Sequence, residues 1–395
     1  MVRFTALLSV VLICLTACSA APKPGSQPDS PGQIVADAPL DRLDPALREA
    51  ASTAKVMTYA SRNGVNEAVS HVTGTVFVPK GNPPPDGFPI VALGHSTAGT
   101  TPDCAPSLSP DLRGGAATVV ALLNAGFVVA APDYQGLGKP TKPDDHDFHP
   151  YLDSTTAGYN MIDAVRAAHK MVPQTSTSWA SIGAAEGGQA AWAANELADN
   201  YAHDLKLVAT AALAPMADFG GLADAAMAGT LNTDQKLVYI AYLAALKDQY
   251  YYEFELDNYR RGAAQQNWDA LLGCTDPVQR KALADNIPPQ DLRPADAAAL
   301  QKLRGYLQKT TLPQGPTQAP MYIIYGGQDA VIPAAWTEHA ISRACTMGDV
   351  IQLVYWPDKG REQIQPVAAL GWLTDRMKLL PSANDCPMFM AGHKP

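Results

Sequence analysis

The residues that most directly suggest chemistry lie in a predicted strand, turn and helix over Ser178–Ala194. The turn, Gly183–Gly187, reads GAAEG, and its small residues suit a backbone that bends sharply. In hydrolytic enzymes the pattern G-x-S-x-G at such a turn presents a nucleophilic serine. Here Ala185 occupies the serine position. The sequence therefore predicts the turn of a hydrolase without the hydroxyl group that would attack a substrate.

Two other residues, Ser96 and Glu186, are candidates to replace that serine. Ser96 lies in Gly94–Ala98 (GHSTA), which also follows a predicted strand, but three prolines within residues 102–110 prevent the helix that such a turn needs. Glu186 carries a carboxylate, yet the residue after the nucleophile contributes mainly its backbone N–H. We interpret neither residue as the nucleophile.

The elements that must position these residues alternate between short apolar runs and helical patterns. The runs predict strands at Thr73–Val78, Phe88–Leu93, Phe127–Ala131, Trp179–Gly183, Leu207–Leu213, Met321–Tyr325 and Val350–Tyr355. The helical patterns cover Ala116–Asn124, Thr155–Met171, Glu186–Tyr201, Trp336–Cys345 and Pro366–Leu379. This alternation predicts an α/β fold, with a mostly parallel sheet that has helices on both faces.

Residues 216–312 interrupt the alternation and divide the α/β core into residues 41–215 and 313–395. The segment has helical patterns at Leu231–Lys247, Tyr250–Arg261 and Val278–Ala284 and no convincing strand. An insertion at this place in a sheet is predicted to form a helical lid over the site. Its many aromatic residues either pack within the lid or face lipid.

The N-terminus has the pattern of an export signal. An apolar run too short to span a membrane follows Arg3, and residues 1–17 are predicted to be a signal peptide. Leu15–Cys18 (LTAC) resembles a bacterial lipobox, which predicts lipidation of Cys18; the alternative is an ordinary secretory signal. Residues 18–40 are predicted to form the lipidated cysteine and a flexible linker, because the first part is rich in Pro, Ser and Gly.

Composition excludes some classes of protein. The net charge of −9 and the absence of a basic patch argue against nucleic-acid binding. Four cysteines remain outside the signal and the lipobox: Cys104, Cys274, Cys345 and Cys386. An even number in an exported protein predicts two disulfides. Without a C-x-x-C pair or clustered histidines, the sequence predicts no metal site and no cofactor.

Taken in order, four motifs make the chain resemble the secretory lipase family, the relatives of Candida lipase A, over about residues 70–386. They are Leu93–Thr100 with Cys104–Ser107, Pro132–Gly138 with His149–Leu152, the turn Gly183–Gly187, and Tyr325–Pro333 with Asp358–Arg361. The resemblance implies an α/β-hydrolase fold and a serine esterase or lipase ancestry.

The resemblance also implies which residues occupy the acid and base positions of a catalytic triad. Asp329 follows a strand where the family presents the acid. The family pattern at the base resembles Gly-Lys-Gly-His, but here Asp358–Arg361 reads DKGR. Because no histidine lies between His339, in a predicted helix, and His393, in the tail, Arg361 occupies the base position. We expect its guanidinium to pair with the Asp329 carboxylate.

Two further expectations follow from the same resemblance. The loop at His95, Ser96 and Thr97 resembles an oxyanion-hole loop, to which the backbone N–H of Glu186 would contribute. The disulfides are expected to join Cys104 to Cys274, which ties this loop to the lid, and Cys345 to Cys386, which fastens the C-terminal tail.

The sequence therefore predicts a catalytically impaired family member, exported and anchored at the outer face of the cell membrane or cell envelope, that binds lipid or an acyl ester. One alternative is a working carboxylesterase or triacylglycerol lipase with a non-standard set of residues. Another is a structural or interaction lipoprotein without a ligand.

Overall fold

Strands and helices alternate through most of the computed structural model, which describes residues 29–139, 148–274 and 276–393. The strands are β1 (Ile34–Pro39), β2 (Ala51–Arg62), β3 (Val69–Pro79), β4 (Phe88–Gly94), β5 (Val128–Pro132), β6 (Thr175–Ala184), β7 (Lys206–Leu213), β8 (Met321–Gly326) and β9 (Ile351–Trp356). The helices outside the insertion are α1 (Pro45–Ala50), α2 (Ala116–Asn124), α3 (Ser154–Met171), α4 (Glu186–Tyr201), α11 (Ala334–Met347), α12 (Leu370–Met377) and α13 (Cys386–Met390). Those of the insertion are α5 (Leu222–Ala228), α6 (Thr233–Gln249), α7 (Gly262–Gln266), α8 (Trp268–Leu272), α9 (Pro277–Asp285) and α10 (Ala297–Thr310).

All nine strands form one sheet in the order β1-β2-β3-β5-β4-β6-β7-β8-β9. The pairs from β1 to β5 along this order are antiparallel, and every later pair is parallel. The predicted mostly parallel sheet is confirmed. Because parallel strands end at the same edge, the loops after β4, β6 and β8 meet there.

Helices bury both faces of the sheet. Helices α3 and α4 pack on one face, where Met161, Ile162 and Ala190 join a core with Trp179 of β6. Helices α2 and α12 cover the other face with Leu122 and Leu373. Burial on both faces explains why the central strands are continuous apolar runs without alternation.

The insertion between β7 and β8 has a core of its own that reaches the predicted turn. Its buried side chains include Tyr239, Tyr242 and Phe254, and the same cluster contains Ala185 and Tyr151 from the α/β core. Packing thus explains most of the aromatic residues in the insertion. The exceptions are Tyr251 and Tyr252, whose exposed fractions are 61% and 91%.

Both predicted disulfides are confirmed. Cys104 is bonded to Cys274, and Cys345 is bonded to Cys386. The first bond joins the segment after β4 to the insertion, where the Thr100 N–H also donates a hydrogen bond of 3.0 Å to the Leu272 carbonyl oxygen. The loop and the lid are therefore covalently tied beside the cavity described below.

Three parts of the sequence interpretation need correction or lie outside the described residues. The linker predicted over 18–40 extends too far, because Ile34–Pro39 pairs with β2 as an edge strand. The helix predicted over Tyr250–Arg261 is wrong; Phe254 and Tyr259 stack at 4.9 Å between ring centroids, and that stretch holds only a short 3-10 turn. The signal peptide and Cys18 lie outside the described residues.

Candidate functional site

The turn between β6 and α4 has the backbone of a nucleophile elbow. Ala185 at its tip has φ 55° and ψ −116°, a conformation that non-glycine residues rarely adopt. Such a backbone costs on the order of 1–3 kcal/mol and persists only where its surroundings impose it. Ala185 is nonetheless held on both sides, since its N–H donates to the Leu213 carbonyl at 2.9 Å and its own carbonyl accepts from the Met216 N–H at 3.1 Å.

Close backbone packing imposes this conformation and requires the flanking glycines. A Cβ atom on Gly183 would lie 2.2 Å from the Gly187 carbonyl oxygen. A Cβ atom on Gly187 would lie 2.2 Å from the carbonyl oxygen of Gly94, at the end of β4. The turn therefore locks β4, β6 and α4 together, whatever side chain stands at its tip.

Arg361 and Asp329 form a two-pronged ion pair. Arg361 Nε donates to Asp329 Oδ1 at 2.9 Å, and Nη2 donates to Oδ2 at 2.8 Å. Both side chains are largely buried, with exposed fractions of 11% and 5%. Asp329 Oδ1 also accepts the N–H groups of Val331 and Ile332 at 2.9 and 3.0 Å. The predicted pairing is confirmed, and it leaves the carboxylate fully hydrogen-bonded.

A cavity of about 480 Å³ lies between the turn and the lid. Ala185 and Arg361 both line it, as do the loop residues His95, Ser96 and Thr97. Asp329 lies behind Arg361 and does not line the cavity. The volume is in the range of small-molecule sites, about 300–1,000 Å³.

The loop after β4 directs its hydroxyl groups toward the turn and the cavity. Ser96 Oγ donates to the Ala184 carbonyl at 3.2 Å, and Thr97 Oγ1 shares a hydrogen bond of 2.8 Å with the Tyr151 hydroxyl. The ring nitrogens of His95 lie 2.7 and 3.1 Å from the carbonyl oxygens of Ser96 and Asp133. The His95 ring is thus fixed by the backbone, and its hydrogen bonds do not include the Ser96 hydroxyl.

Of the four residues predicted for the oxyanion hole, Glu186 is the one whose side chain does not line the cavity. It is 2% exposed, and its Oε1 lies 3.2 Å from Nε2 of the buried His149. His149 Nδ1 in turn contacts the Gln135 carbonyl at 2.9 Å. Only the backbone of Glu186 is available to the turn, as the sequence predicted.

The other two histidines discussed above, His339 and His393, do not line the cavity. His339 lies on α11, is 65% exposed along its side chain, and pairs with Asp218 at 2.6 Å. This agrees with the surface position expected for it. His393 is the last described residue, beyond α13.

Sequence reasoning missed several polar residues of the cavity, among them Tyr151 and Arg280. Tyr151 belongs to a quoted motif, but its position over the cavity depends on the turn after His149. Burial raises the pKa of Tyr151, so its hydroxyl stays protonated. Arg280 comes from α9 in the lid, and no sequence pattern distinguishes it from a surface arginine.

No helix in residues 29–139, 148–274 and 276–393 is long and apolar enough to cross a membrane. In the same residues, no three His, Cys, Asp or Glu side chains are placed to hold a metal ion together.

Similar structures share this architecture at low sequence identity. A putative hydrolase from Legionella pneumophila superimposes with a TM-score of 0.70 and 16% identity, covering 92% of this chain and 100% of that one. Candida antarctica lipase A gives 0.69 and 16%, covering 90% and 84%. The rice cell wall degrading esterase LipA from Xanthomonas oryzae gives 0.67 and 20%, covering 92% and 97%. At such identities the likeness establishes the α/β-hydrolase fold.

The sequence itself supplies the family. No curated protein sequence matches this chain. The family model described as secretory lipase matches residues 114–384, which is more than half of the chain and includes the turn, the insertion and the ion pair. The chain therefore belongs to the secretory lipase family.

Proposed function

We propose that this protein binds an acyl ligand in the cavity without hydrolysing esters, and that it does so outside the cytoplasm. The observation that carries the proposal is the methyl group of Ala185 at the tip of an intact nucleophile elbow. Without a hydroxyl there, no acyl-enzyme forms. The family and the fold supply a lipase-like hydrolase scaffold, and the site lacks the group that performs the first chemical step.

The base position supports the same conclusion by an independent argument. A general base must accept a proton near neutral pH, which an arginine side chain does not do. Two of the three nitrogens of Arg361, Nε and Nη2, also donate to Asp329. Removing a serine or a histidine from a triad costs on the order of 10⁶ in kcat, and the two losses act as one unit.

The hydrogen bonds of Ser96 do not support a role for this residue as the nucleophile of a working enzyme. An activated serine donates its proton to a nearby base. Ser96 Oγ instead donates to the Ala184 carbonyl, and the ring of His95 contacts two backbone carbonyls. The cavity, in contrast, favours ligand binding over a purely structural role, because a scaffold without a ligand has no need of it.

Ester hydrolysis tests the catalytic part of the proposal. Four proteins are compared on p-nitrophenyl butyrate and p-nitrophenyl laurate: wild type, Ala185→Ser, Ala185→Ser/Arg361→His, and Ser96→Ala. Wild type and the single revertant are expected at background, and only the double revertant is expected to gain turnover. A fluorophosphonate probe should label the double revertant and not the wild type. Wild-type turnover that Ser96→Ala abolishes would contradict the proposal.

Anchoring by Cys18 is the second part of the proposal, and its support is the lipobox pattern in the sequence. A lipid on Cys18, followed by a linker, would hold the cavity near a membrane surface. Mass spectrometry of the N-terminus from native cells is expected to show a lipidated Cys18. Cys18→Ser is expected to release the protein into the soluble fraction, whereas Cys14→Ser should not. An unmodified mature N-terminus would exclude the anchor.

A further inference from the structure

Arg280 places a charged group at the lid side of the cavity without an acidic partner. It lies on α9, six residues after the disulfide-bonded Cys274, and its side chain lines the cavity together with Arg361. Nη1 donates to the Gly273 carbonyl at 2.6 Å. Among the described residues, the buried Nε has no hydrogen-bond partner and no carboxylate forms an ion pair with Arg280.

Two of the three arginines that line the cavity, Arg361 and Arg280, differ in what surrounds them. Arg361 satisfies Asp329, and the pair is electrically neutral. Arg280 is half-buried, and burial lowers the pKa of its guanidinium, although arginine keeps its proton. A desolvated cation without a counter-ion is unfavourable, and an incoming anion would relieve the cost.

The positive charges of Arg361 and Arg280 both act on the Tyr151 hydroxyl. Burial raises the pKa of Tyr151, and the positive charges of Arg361 and Arg280 oppose that shift. The hydroxyl is hydrogen-bonded to Thr97 in the loop after β4. Arg280, Tyr151 and Thr97 all line the cavity, so both the lid and the α/β core contribute polar groups to it.

Acidic residues of the cavity do not cancel this charge. Asp234 lines the cavity but is paired with Lys281 at 2.9 Å. Glu362 lines the cavity from an exposed position at the rim. Arg280 is therefore left without an acid bonded to it, and it is less exposed than Arg113, the third arginine of the lining, whose Nη2 donates to the Asp103 carbonyl at 2.8 Å.

Part of the cavity wall is apolar. It is formed by lid and core side chains that would suit an aliphatic chain: Met216, Leu237, Val238, Ala241, Leu271 and Val331. A cation beside an apolar wall matches a molecule with an anionic head and an alkyl chain.

We infer that the cavity binds an anionic amphiphile, with Arg280 of the lid as the residue that receives the head group. The inference rests on the proposed ligand-binding function and specifies its ligand class. A carboxylate or a phosphate monoester accepts two parallel hydrogen bonds from a guanidinium, which a neutral ester does not match. The ligand is thus a free fatty acid or a lipid phosphate in preference to an intact ester.

Calorimetric titration of the disulfide-intact protein tests this choice of ligand. The probes are laurate, dodecyl phosphate and methyl laurate, each below the concentration at which it aggregates. Wild type is expected to bind at least one anionic probe about tenfold or more tightly than methyl laurate. The tighter of the two anions identifies the head group. Equal affinity for all three probes overturns the inference but leaves the cavity a binding site.

Substitution of Arg280 tests the residue. Arg280→Gln is expected to bind the anion about tenfold or more weakly than wild type does. Its affinity for methyl laurate should be unchanged. Arg280→Lys, which keeps the charge without the fork, should lie between. Arg293→Gln, an exposed arginine of the same insertion, is the matched control and should bind as wild type. Unchanged anion binding by Arg280→Gln overturns the assignment.

A third measurement compares the Tm of the protein with and without the anion. Because Arg280 is an unpaired, desolvated charge, Arg280→Met is expected to raise the Tm of the free protein while it abolishes stabilisation by the anion. A lower Tm would mean that the residue is structural. Failure of all three probes to bind wild type would contradict the ligand-binding function itself, independently of the ester assays.

Discussion

The turn at Ala185 and the loop at Arg361 line the same cavity, yet they depart from the family pattern in different ways. At the turn the backbone is that of a nucleophile elbow, and one hydroxyl group is missing. At the loop the side chain itself has another role, because the Arg361 guanidinium donates two hydrogen bonds to Asp329 where the family pattern has an imidazole.

The difference separates what the fold requires from what the chemistry requires. Gly183 and Gly187 are confined by neighbouring backbone atoms, so the strained turn persists without a nucleophile. Asp329 is held by the N–H groups of Val331 and Ile332, and its buried charge needs a partner even when no proton is transferred. The turn is retained by packing, whereas the base position is free to change to any residue that neutralises the acid.

The largest effect is expected from Gly187→Ala. Its Cβ would meet the Gly94 carbonyl oxygen and carbon at 2.2 and 2.4 Å, and neither backbone segment has room to retreat. The free energy of unfolding is expected to fall by more than about 4 kcal/mol, measured by urea denaturation. Gly305→Ala in α10, where nothing lies within 4 Å of the added Cβ, is the control and should stabilise by about 0.5–1 kcal/mol. A well-folded Gly187→Ala protein would show that packing does not retain the turn.

Removing Arg361 is expected to have the next largest effect. Arg361→Met leaves the Asp329 carboxylate buried without its cation and should cost about 3 kcal/mol in denaturant unfolding. Arg361→Met/Asp329→Asn should recover part of this loss, because the uncompensated charge is gone.

The control for this prediction is an exposed ion pair. Arg304 and Asp224 have side-chain exposed fractions of 46% and 58%, so Arg304→Met should change stability by less than about 1 kcal/mol. Equal losses at Arg361 and Arg304 would mean that the Arg361–Asp329 pair is no more than a surface contact.

The sequence predicted the central sheet well because its signals are local. Helices Ala116–Asn124 and Glu186–Tyr201 have the predicted bounds, and the seven predicted strands overlap β3–β9. Strands β1 and β2 were not predicted, since they lie at the antiparallel edge, where polar residues alternate with apolar ones. The lid was the least predictable part: α10 was missed, and an aromatic cluster was mistaken for a helix.

The site residues that belong to sequence motifs were predictable from the sequence. Ala185, Asp329 and Arg361 were found because each replaces or occupies a position in a spaced pattern, and the ion pair followed from charge balance. Arg280 was not found, because its significance depends on the lid folding back over the turn. A residue on a short polar helix has no local signal for the cavity that it faces.

A buried acid elsewhere sharpens the contrast with Asp329. Glu196 on α4 accepts the N–H groups of Gln314 and Gly315 at 2.9 and 3.2 Å, but no cation pairs with it in the described residues. Burial raises the pKa of Glu196 from 4.5 to about 8. The folded state thus holds a proton that the unfolded state releases, and stability should fall as the pH rises from about 5 to 8.

The measurement is the Tm of wild type and of Glu196→Gln as a function of pH. The variant, which keeps the shape and removes the titration, should lose less stability over that interval. Glu362→Gln, at an exposed carboxylate, should follow the wild-type curve. Parallel curves for wild type and Glu196→Gln would mean that Glu196 titrates normally and resembles Asp329 in having its charge compensated.

The smallest effect is expected at the tip of the turn, and it tests whether the strain at Ala185 is real. Glycine adopts a positive φ freely, so Ala185→Gly relieves a backbone conformation that costs alanine about 1–3 kcal/mol, offset by about 0.5–1 kcal/mol of chain entropy in the unfolded state. The net expectation is a gain of about 1 kcal/mol in denaturant unfolding. Ala282→Gly, in an exposed position of α9, has no strain to relieve and should lose about 1 kcal/mol. Opposite signs at these two alanines would establish that the elbow stays strained although no nucleophile uses it. A loss at both positions would mean that Ala185 is relaxed, and that the packing of Gly183 and Gly187 does not impose the geometry of the tip.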